Sequence, residues 1–300
     1  HDATAREDMV DIGTVMAGNY EIPAHVNRYA LAADLLVGIG NIVPHCDAGY
    51  AGGAKILQPG VCDFVTTSAT HAAAGFCPDI PLGVADGNPC REGIEEVARI
   101  AGLAFIVNIV KNYRNEIAGV FSGDFIKAHR EGIKLAEKSF RITVPEPADI
   151  VIVSSWPSDM DYWQATKGVS CAYFAVKKGG VIIFAAPCDE GLAHNHPLFR
   201  EWLSLPLDEA LRRLRAASPE DVEADMVSAV LAICNCRARD KARIFSVTEG
   251  LSKEDIAAMG YTPFPTVQEA LDKALELIPG ATIGIIPMGG ISLPIIGRSQ

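Results

Sequence analysis

Residues 34–60 read DLLVGIGNIVPHCDAGYAGGAKILQPG. The apolar run Asp34–Gly40 has the length of a strand, and the Pro- and Gly-rich stretch behind it stops that strand and turns the chain. Similar apolar runs bounded by Gly, Pro and Asn alternate with helical periodicity along the whole sequence, the pattern of an α/β protein with mainly parallel strands. Further strands are expected at Leu103–Val110, Ile117–Ser122, Ile150–Ser154, Val181–Ala186, Arg243–Val247 and Thr282–Pro287. Apolar recurrence near 3.6 residues predicts helices at Asp63–Ala74, Asn88–Ala101, Asp124–Phe140, Asp159–Lys177, Pro219–Cys234, Lys253–Met259 and Thr266–Leu277.

A chain of 300 residues with 49% hydrophobic residues can bury one large core or two ordinary ones. Arg141-Ile-Thr-Val-Pro145-Glu-Pro147-Ala148 carries two prolines that stop the preceding helix and extend the backbone. The expected organisation is therefore a first lobe over 1–145 and a second over 146–300, each a mainly parallel sheet flanked by helices, with the active site in the cleft between them. A net charge of −11 argues against a nucleic-acid partner. Apolar runs such as Gly180–Pro187 fall far short of the roughly 20 residues of a spanning helix, so a cytoplasmic, membrane-free protein is expected. The eight cysteines sit inside regular elements and read as reduced core thiols, and the Cys234-x-Cys236 pair points in two directions on a helix. The sequence opens at His1 without a methionine, a basic region or an apolar leader, on what reads as the middle of a fold, so an upstream segment is expected to be missing.

The densest chemistry lies at Pro44–Gly60, where ligands of open α/β sheets bind, at a strand's carboxyl end. Gly49, Gly52 and Gly53 allow positive φ or close backbone approach, and successive amides in such a turn can bind an anion, as a phosphate-bearing cofactor would require. Neither the order of a Walker A loop nor that of a Gly-x-Gly-x-x-Gly fingerprint is present. Lys55 follows the glycines; it reads equally as a surface lysine or as an amine made nucleophilic by desolvation. His45 can trade protons near neutrality, although a lone histidine is more often structural. His71 stands among Ala69, Thr70, Ala72 and Ala73, with room to reach a bulky group, yet one histidine holds a metal only if other ligands come from elsewhere. In the second lobe, Trp163, Gln164 and Lys167 follow the turn Ser154–Asp161 at helical spacings that put ring, amide and cation on one face.

Taken together, Pro44-His45, Ala48-Gly49-Tyr50-x-Gly52-Gly53-x-Lys55, Pro59-Gly60 and the later His71 resemble the nickel-dependent lactate racemase family. Trp163-Gln164-x-x-Lys167 and, more weakly, Ile285–Gly290 extend the resemblance over essentially the whole chain. The resemblance implies a nickel-pincer nucleotide, a pyridinium mononucleotide holding nickel through two sulfurs and a ring carbon, covalently attached to Lys55. It implies His71 as the fourth nickel ligand, His45 as one of two catalytic histidines, and Trp163, Gln164 and Lys167 facing cofactor and substrate. Tyr50, Gly52 and Gly53 fall with Lys55 in the implied cofactor-binding block, and cofactor-maturation proteins are implied as partners. Cys46-Asp47 stand where the family commonly has two aromatic residues, Ala54 where it has arginine, and Trp163 where it has tyrosine, so pocket size and polarity differ. The family's Asp-x-Thr-Arg and Gly-Thr-His segments, the latter with the second catalytic histidine, would precede His1.

The implied function is that of an isomerase, racemising or epimerising a small 2-hydroxy acid by hydride transfer. The C2 hydrogen of such an acid is a poor acid, whereas its loss as hydride to an electrophilic cofactor yields a planar keto acid that can be reduced from either face. A histidine takes the hydroxyl proton, and Lys167 with Gln164 pins the substrate. Two other readings keep the loop: a Schiff-base lysine enzyme with Lys55 as the amine, and a non-catalytic nucleotide-cofactor binding protein.

Overall fold

The computed structural model describes residues 1–297 and divides into two compact units, 1–140 with 216–227, and 141–215 with 228–300. In the first, β1 (Met9–Ala17) and β2 (Tyr20–Asn27) form an antiparallel hairpin closed by a turn at Gly18-Asn19. After the single turn α1 (Arg28–Leu31), β3 (Leu36–Asn41) enters a second sheet. Next come β4 (Pro44–His45) and β5 (Gly49–Tyr50), which pair antiparallel, and a 3-10 turn over Gly53–Ile56. Two helices follow, α2 (Phe64–Gly75) and α3 (Pro89–Ile100), then β6 (Leu103–Lys111), β7 (Ile117–Gly123) and α4 (Lys127–Phe140). Parallel pairing in this unit is that of β3 with β6, and β7 adds to β6 antiparallel because a short turn joins them.

Helix starts are written locally. Asp63 caps α2 by accepting the Thr66 N–H at 2.9 Å, and Asn88 caps α3 with Pro89 in the first turn. Nearly every residue of α2 from Val65 to Gly75 is buried, which explains its alanines, threonines and single serine: small side chains let it pack closely against β2 and α3.

The second unit has a five-stranded, all-parallel sheet of β9 (Ala148–Ser154), β10 (Val176–Ala185), β11 (Arg243–Val247), β12 (Thr262–Pro263) and β13 (Ile283–Ile286), in the order β12-β11-β10-β9-β13. A short parallel pair, β8 (Arg141–Val144) with β14 (Leu293–Ile296), lies apart from it. In chain order the sheet strands and helices are β9, α5 (Tyr162–Ala175), β10, α6 (Phe199–Ser204), α7 (Leu207–Ala216) and α8 (Met226–Lys241), then β11, α9 (Lys253–Ala258), β12, α10 (Val267–Leu277) and β13. Ile150, Val181, Ile183 and Phe245 pack under Ala270 and Ala274 of α10. Each such large apolar side chain contributes about 1.5–3 kcal/mol on burial, which is what holds strands with near-continuous apolar sequences in the sheet. The strand order reverses between β9 and β13, so the ends of these two strands mark the position where open α/β sheets bind ligands.

One sequence expectation shifts along the chain. The helix predicted over Pro219–Cys234 runs instead over Met226–Lys241, because Val222–Ala224 is a 3-10 turn ended by Asp225 at φ 44°. Asn235 in the middle of this helix is buried, its amide donating to the Tyr261 hydroxyl at 2.7 Å. None of the eight cysteines is in a disulfide and seven are buried, but only Cys90, Cys171, Cys234 and Cys236 lie in regular elements; Cys46, Cys62, Cys77 and Cys188 sit in turns, loops or an isolated bridge. No helix among the described residues is long and apolar enough to cross a membrane.

Candidate active site

The turn behind β3 carries Lys55, and its backbone is strapped from other elements. Arg91 of α3 is fully buried and donates from Nε to the Ala48 carbonyl at 3.2 Å, from Nη1 to the Gly52 carbonyl at 3.3 Å, and from Nη2 to the Tyr50 carbonyl. Asn88 donates to the Asp47 carbonyl at 2.9 Å, and Asn108 of β6 accepts the Gly53 N–H at 2.6 Å. His129 of α4 donates from Nε2 to the Ala51 carbonyl at 2.9 Å and accepts from Arg130 at Nδ1, so it is neutral; burial, with Arg91 nearby, pushes its pKa down to about 3. The glycines are needed for this inward packing. A Cβ on Gly52 would lie 2.7 Å from Asn108 Oδ1, and one on Gly53 would lie 2.8 Å from His129 Cγ.

Four amides of the turn, at Tyr50, Ala51, Gly53 and Lys55, are spent on internal acceptors. The anion-binding row of amides expected from the glycines is therefore not what they build. Tyr50 likewise points inward, fully buried, its hydroxyl donating to Glu137 at 3.3 Å.

Lys55 is half-buried, and desolvation pushes its amine below the usual lysine range. Arg91 pushes the same way, while Cys90, Asp47 and Cys46 oppose it. Burial lifts the Cys90 thiol to about 12. Three residues on, Gln58 donates to Thr70 at 2.6 Å, tying the Lys55 turn to the α2 residue next to His71. The His71 ring is oriented by its own helix: Nδ1 lies 2.8 Å from the Thr67 carbonyl, which can only accept, so Nδ1 carries the proton and the lone pair is on Nε2. That is the arrangement of a metal-ligating histidine. At His45 the polarity is opposite, because Nδ1 accepts the Asp47 and Ala48 N–H groups at 3.2 and 3.4 Å, with Asp47 Oδ2 3.7 Å away.

In the second unit the turn after β9 leads into α5, capped by Asp161, which accepts the Gln164 N–H at 2.7 Å. Lys167 Nζ donates to Gln164 Oε1 at 2.7 Å, so the amide nitrogen and the ammonium form one patch of donors. Trp163 stacks on His196 with ring centroids 3.6 Å apart and meets Phe199 edge-on at 5.0 Å. The Gly289-Gly290 turn after β13 seats directly on this segment, the Gly289 N–H donating to the Ser154 carbonyl at 2.8 Å. A cavity of about 490 Å³ opens beside the carboxyl ends of β10 and β11, lined by Ala185–Pro187, Val247–Glu249 and Phe264.

Two family models match the chain: the lactate racemase N-terminal domain over residues 1–80 and the lactate racemase C-terminal domain over residues 143–295. The chain belongs to the lactate racemase family. A lactate racemase from Thermoanaerobacterium thermosaccharolyticum is 32% identical, over 96% of this chain and 67% of its own length. One from Lactiplantibacillus plantarum is 33% identical over 65% of this chain and 47% of its own length. The structure of the T. thermosaccharolyticum lactate racemase apoprotein superposes with a TM-score of 0.88 at 30% identity, covering 98% of this chain and 70% of that one. A protein from Thermotoga maritima shares the fold at TM-score 0.73 and 21% identity, covering 99% of this chain and 77% of its own. Family membership makes the protein an isomerase of the racemase class.

In the first unit Gln58 ties the Lys55 turn to the helix of His71 and His45 stands at the head of that turn, and in the second Lys167 bonds Gln164. Sequence reasoning missed Arg91, Asn108, His129 and His196. Arg91 had left a trace: it lies in helical register with Ile94 and Ala98, on the buried stripe of α3.

Proposed function

We propose that this protein racemises or epimerises a small 2-hydroxy acid using a nickel-pincer nucleotide attached to Lys55, with His71 as the protein's nickel ligand. The residues fit such a group. A desolvated amine suits covalent attachment, and an imidazole held at Nδ1 offers Nε2 to a metal. The observation that carries the reading is the tie between the Lys55 turn and the His71 helix through Gln58 and Thr70.

When bound, the group supplies an electrophilic centre that takes up the C2 hydrogen with its electron pair and gives it back. Lys167 and Gln164 bind the substrate carboxylate or keto oxygen with their donor patch, holding the planar keto acid until it is reduced. Trp163, fixed by His196, walls that patch. His45 handles the hydroxyl proton. In the resting tautomer its Nε2 carries a proton and is a donor; a small tilt that trades the two amides for Asp47 Oδ2 would protonate Nδ1 and make Nε2 the base. Tyr50, Gly52 and Gly53 serve by shaping the turn.

A panel of enantiopure 2-hydroxy acids labelled with deuterium at C2 tests the reaction. Inversion with the label kept in the product is expected, and wash-out of the label into solvent would sink hydride transfer in favour of proton abstraction. Loaded protein should carry about one nickel and a mass increment on Lys55, as tight four-ligand binding predicts. Lys55→Ala should lose both the increment and the activity, and His71→Ala should lose the nickel. Trapping of Lys55 by borohydride with a carbonyl substrate would point instead to a Schiff-base enzyme.

A further inference from the structure

We propose that Arg91 is the positioning residue for the Lys55 turn: a guanidinium that grips the Ala48, Tyr50 and Gly52 carbonyls and so fixes the amine before any cofactor arrives. The inference rests on the reading of Lys55 as the attachment point.

A buried cation ordinarily faces a carboxylate, yet among the described residues no carboxylate oxygen stands within ion-pair distance of Arg91. Glu95, one turn further along α3, is engaged by Arg130 at 2.7 Å instead. Every hydrogen bond of the buried guanidinium goes to main-chain carbonyls of one turn, contacted from three different nitrogens, and the Glu95 carboxylate adds only a longer-range attraction. Planar, forked donors suit this task; an ammonium at the same place reaches one carbonyl at a time. Gly49, Gly52 and Gly53 hold positive φ of 71°, 77° and 60°, a path that supplies little rigidity of its own and so depends on the grip. Burial pushes Arg91 down to about 10, still ionised at neutral pH, and its charge opposes protonation of Lys55. The groups that act on Lys55 the other way are Cys90, Asp47 and Cys46. One side chain thus both places the amine and pushes its pKa down.

The test uses the full chain without cofactor, as Arg91→Lys and Arg91→Gln. Amide hydrogen exchange of a peptide covering 47–57 should quicken about tenfold or more in both variants, while 150–165 in the other unit stays as in the parent. Pulse acetylation of Lys55 with acetic anhydride across pH should show the midpoint rising in Arg91→Gln and rising less in Arg91→Lys, which keeps the charge. A role in packing alone would lower overall stability without this charge-dependent difference. Unchanged exchange over 47–57, or identical acetylation midpoints in all three proteins, overturns the proposal. Should both variants fail to fold, His129→Ala removes the neighbouring strap on Ala51, and its exchange must then quicken in the same peptide, or the strapped-turn idea is wrong. Absence of a mass increment on Lys55 in loaded parent protein would remove the cofactor reading while leaving the exchange result to decide the grip.

Discussion

In the first unit, the turn that carries Lys55 is held by polar side chains reaching in from α3, β6 and α4, whereas in the second the turn ahead of Gln164 is held by backbone pressed on backbone. Arg91, Asn88, Asn108 and His129 all end on main-chain atoms between Asp47 and Gly53. Around Ser154–Ser158 a few short-range hydrogen bonds, such as Ser155 Oγ to the Ala165 carbonyl at 2.8 Å, are joined by tight steric contact: a Cβ on Gly290 would lie 2.2 Å from the Ser155 carbonyl, and one on Gly168 would lie 2.1 Å from Ser155 Oγ. A strapped turn is sensitive to losing atoms and to pH. A wedged turn is sensitive to gaining atoms and indifferent to pH.

The largest expected effect follows from His129. Its pKa is depressed from 6.5 to about 3 in the folded protein, so the unfolded chain takes up a proton in that window and the folded one does not. The contribution to stability is complete above about 6.5 and is lost as pH falls toward 3, with an upper bound of about 5 kcal/mol. Urea unfolding followed between pH 7 and 4 should show the first unit weakening faster than the second, and His129→Gln should flatten that dependence. Equal pH slopes for the two units would erase the contrast between them.

Next in size is Gly290→Ala. The added methyl meets a carbonyl of the β9–α5 turn rather than the end of a flexible side chain, so the backbone must shift, at a cost near 3 kcal/mol. Asn108→Ala is the counterpart in the first unit. It leaves the buried Gly53 N–H without its acceptor and should cost about 1–3 kcal/mol. The two substitutions sharpen the comparison if each melts its own unit, read by exchange, and leaves the other unmoved.

Why the two turns were not equally legible in the sequence follows from the same difference. Gly289-Gly290 and Ser154–Asp161 stand beside strands whose apolar runs are plain, and β9, β10, β11 and β13 lie where those runs predict, within a few residues. The Lys55 motif was readable as residues with chemistry, but its straps come from 39 to 78 positions further along the chain than the atoms they hold, as single polar residues on amphipathic elements. Periodicity assigns such a residue to solvent unless it is checked against the buried stripe, as Arg91 can be. The β1–β2 hairpin escaped for a local reason: the register slips between Asp11 and Thr14, and Pro23 interrupts β2, so the period-2 alternation is broken although Gly18-Asn19 is a hairpin turn signal. Parallel pairing in the first unit is narrower than in the second because a turn of five residues after β6 is long enough only for an antiparallel return.

The smallest effect separates the two helix caps. Asp161 accepts one backbone N–H, that of Gln164, and Asp161→Ala should cost about 1 kcal/mol, as N-cap losses commonly do. Asp63 does more with the same side chain. Its Oδ1 accepts both the Thr66 N–H and the Thr66 hydroxyl at 2.9 Å, and its Oδ2 meets His25 Nδ1 at 2.8 Å, pinning β2 to the start of the helix that presents His71. Asp63→Ala therefore removes a cap and leaves a buried hydroxyl and an imidazole to find new partners, for about 2–3 kcal/mol. Thermal melts of the two variants measure the difference directly. If they fall together, the first unit's ties between elements are no stronger than the second's local cap, and the distinction between a strapped and a wedged turn stops at Lys55.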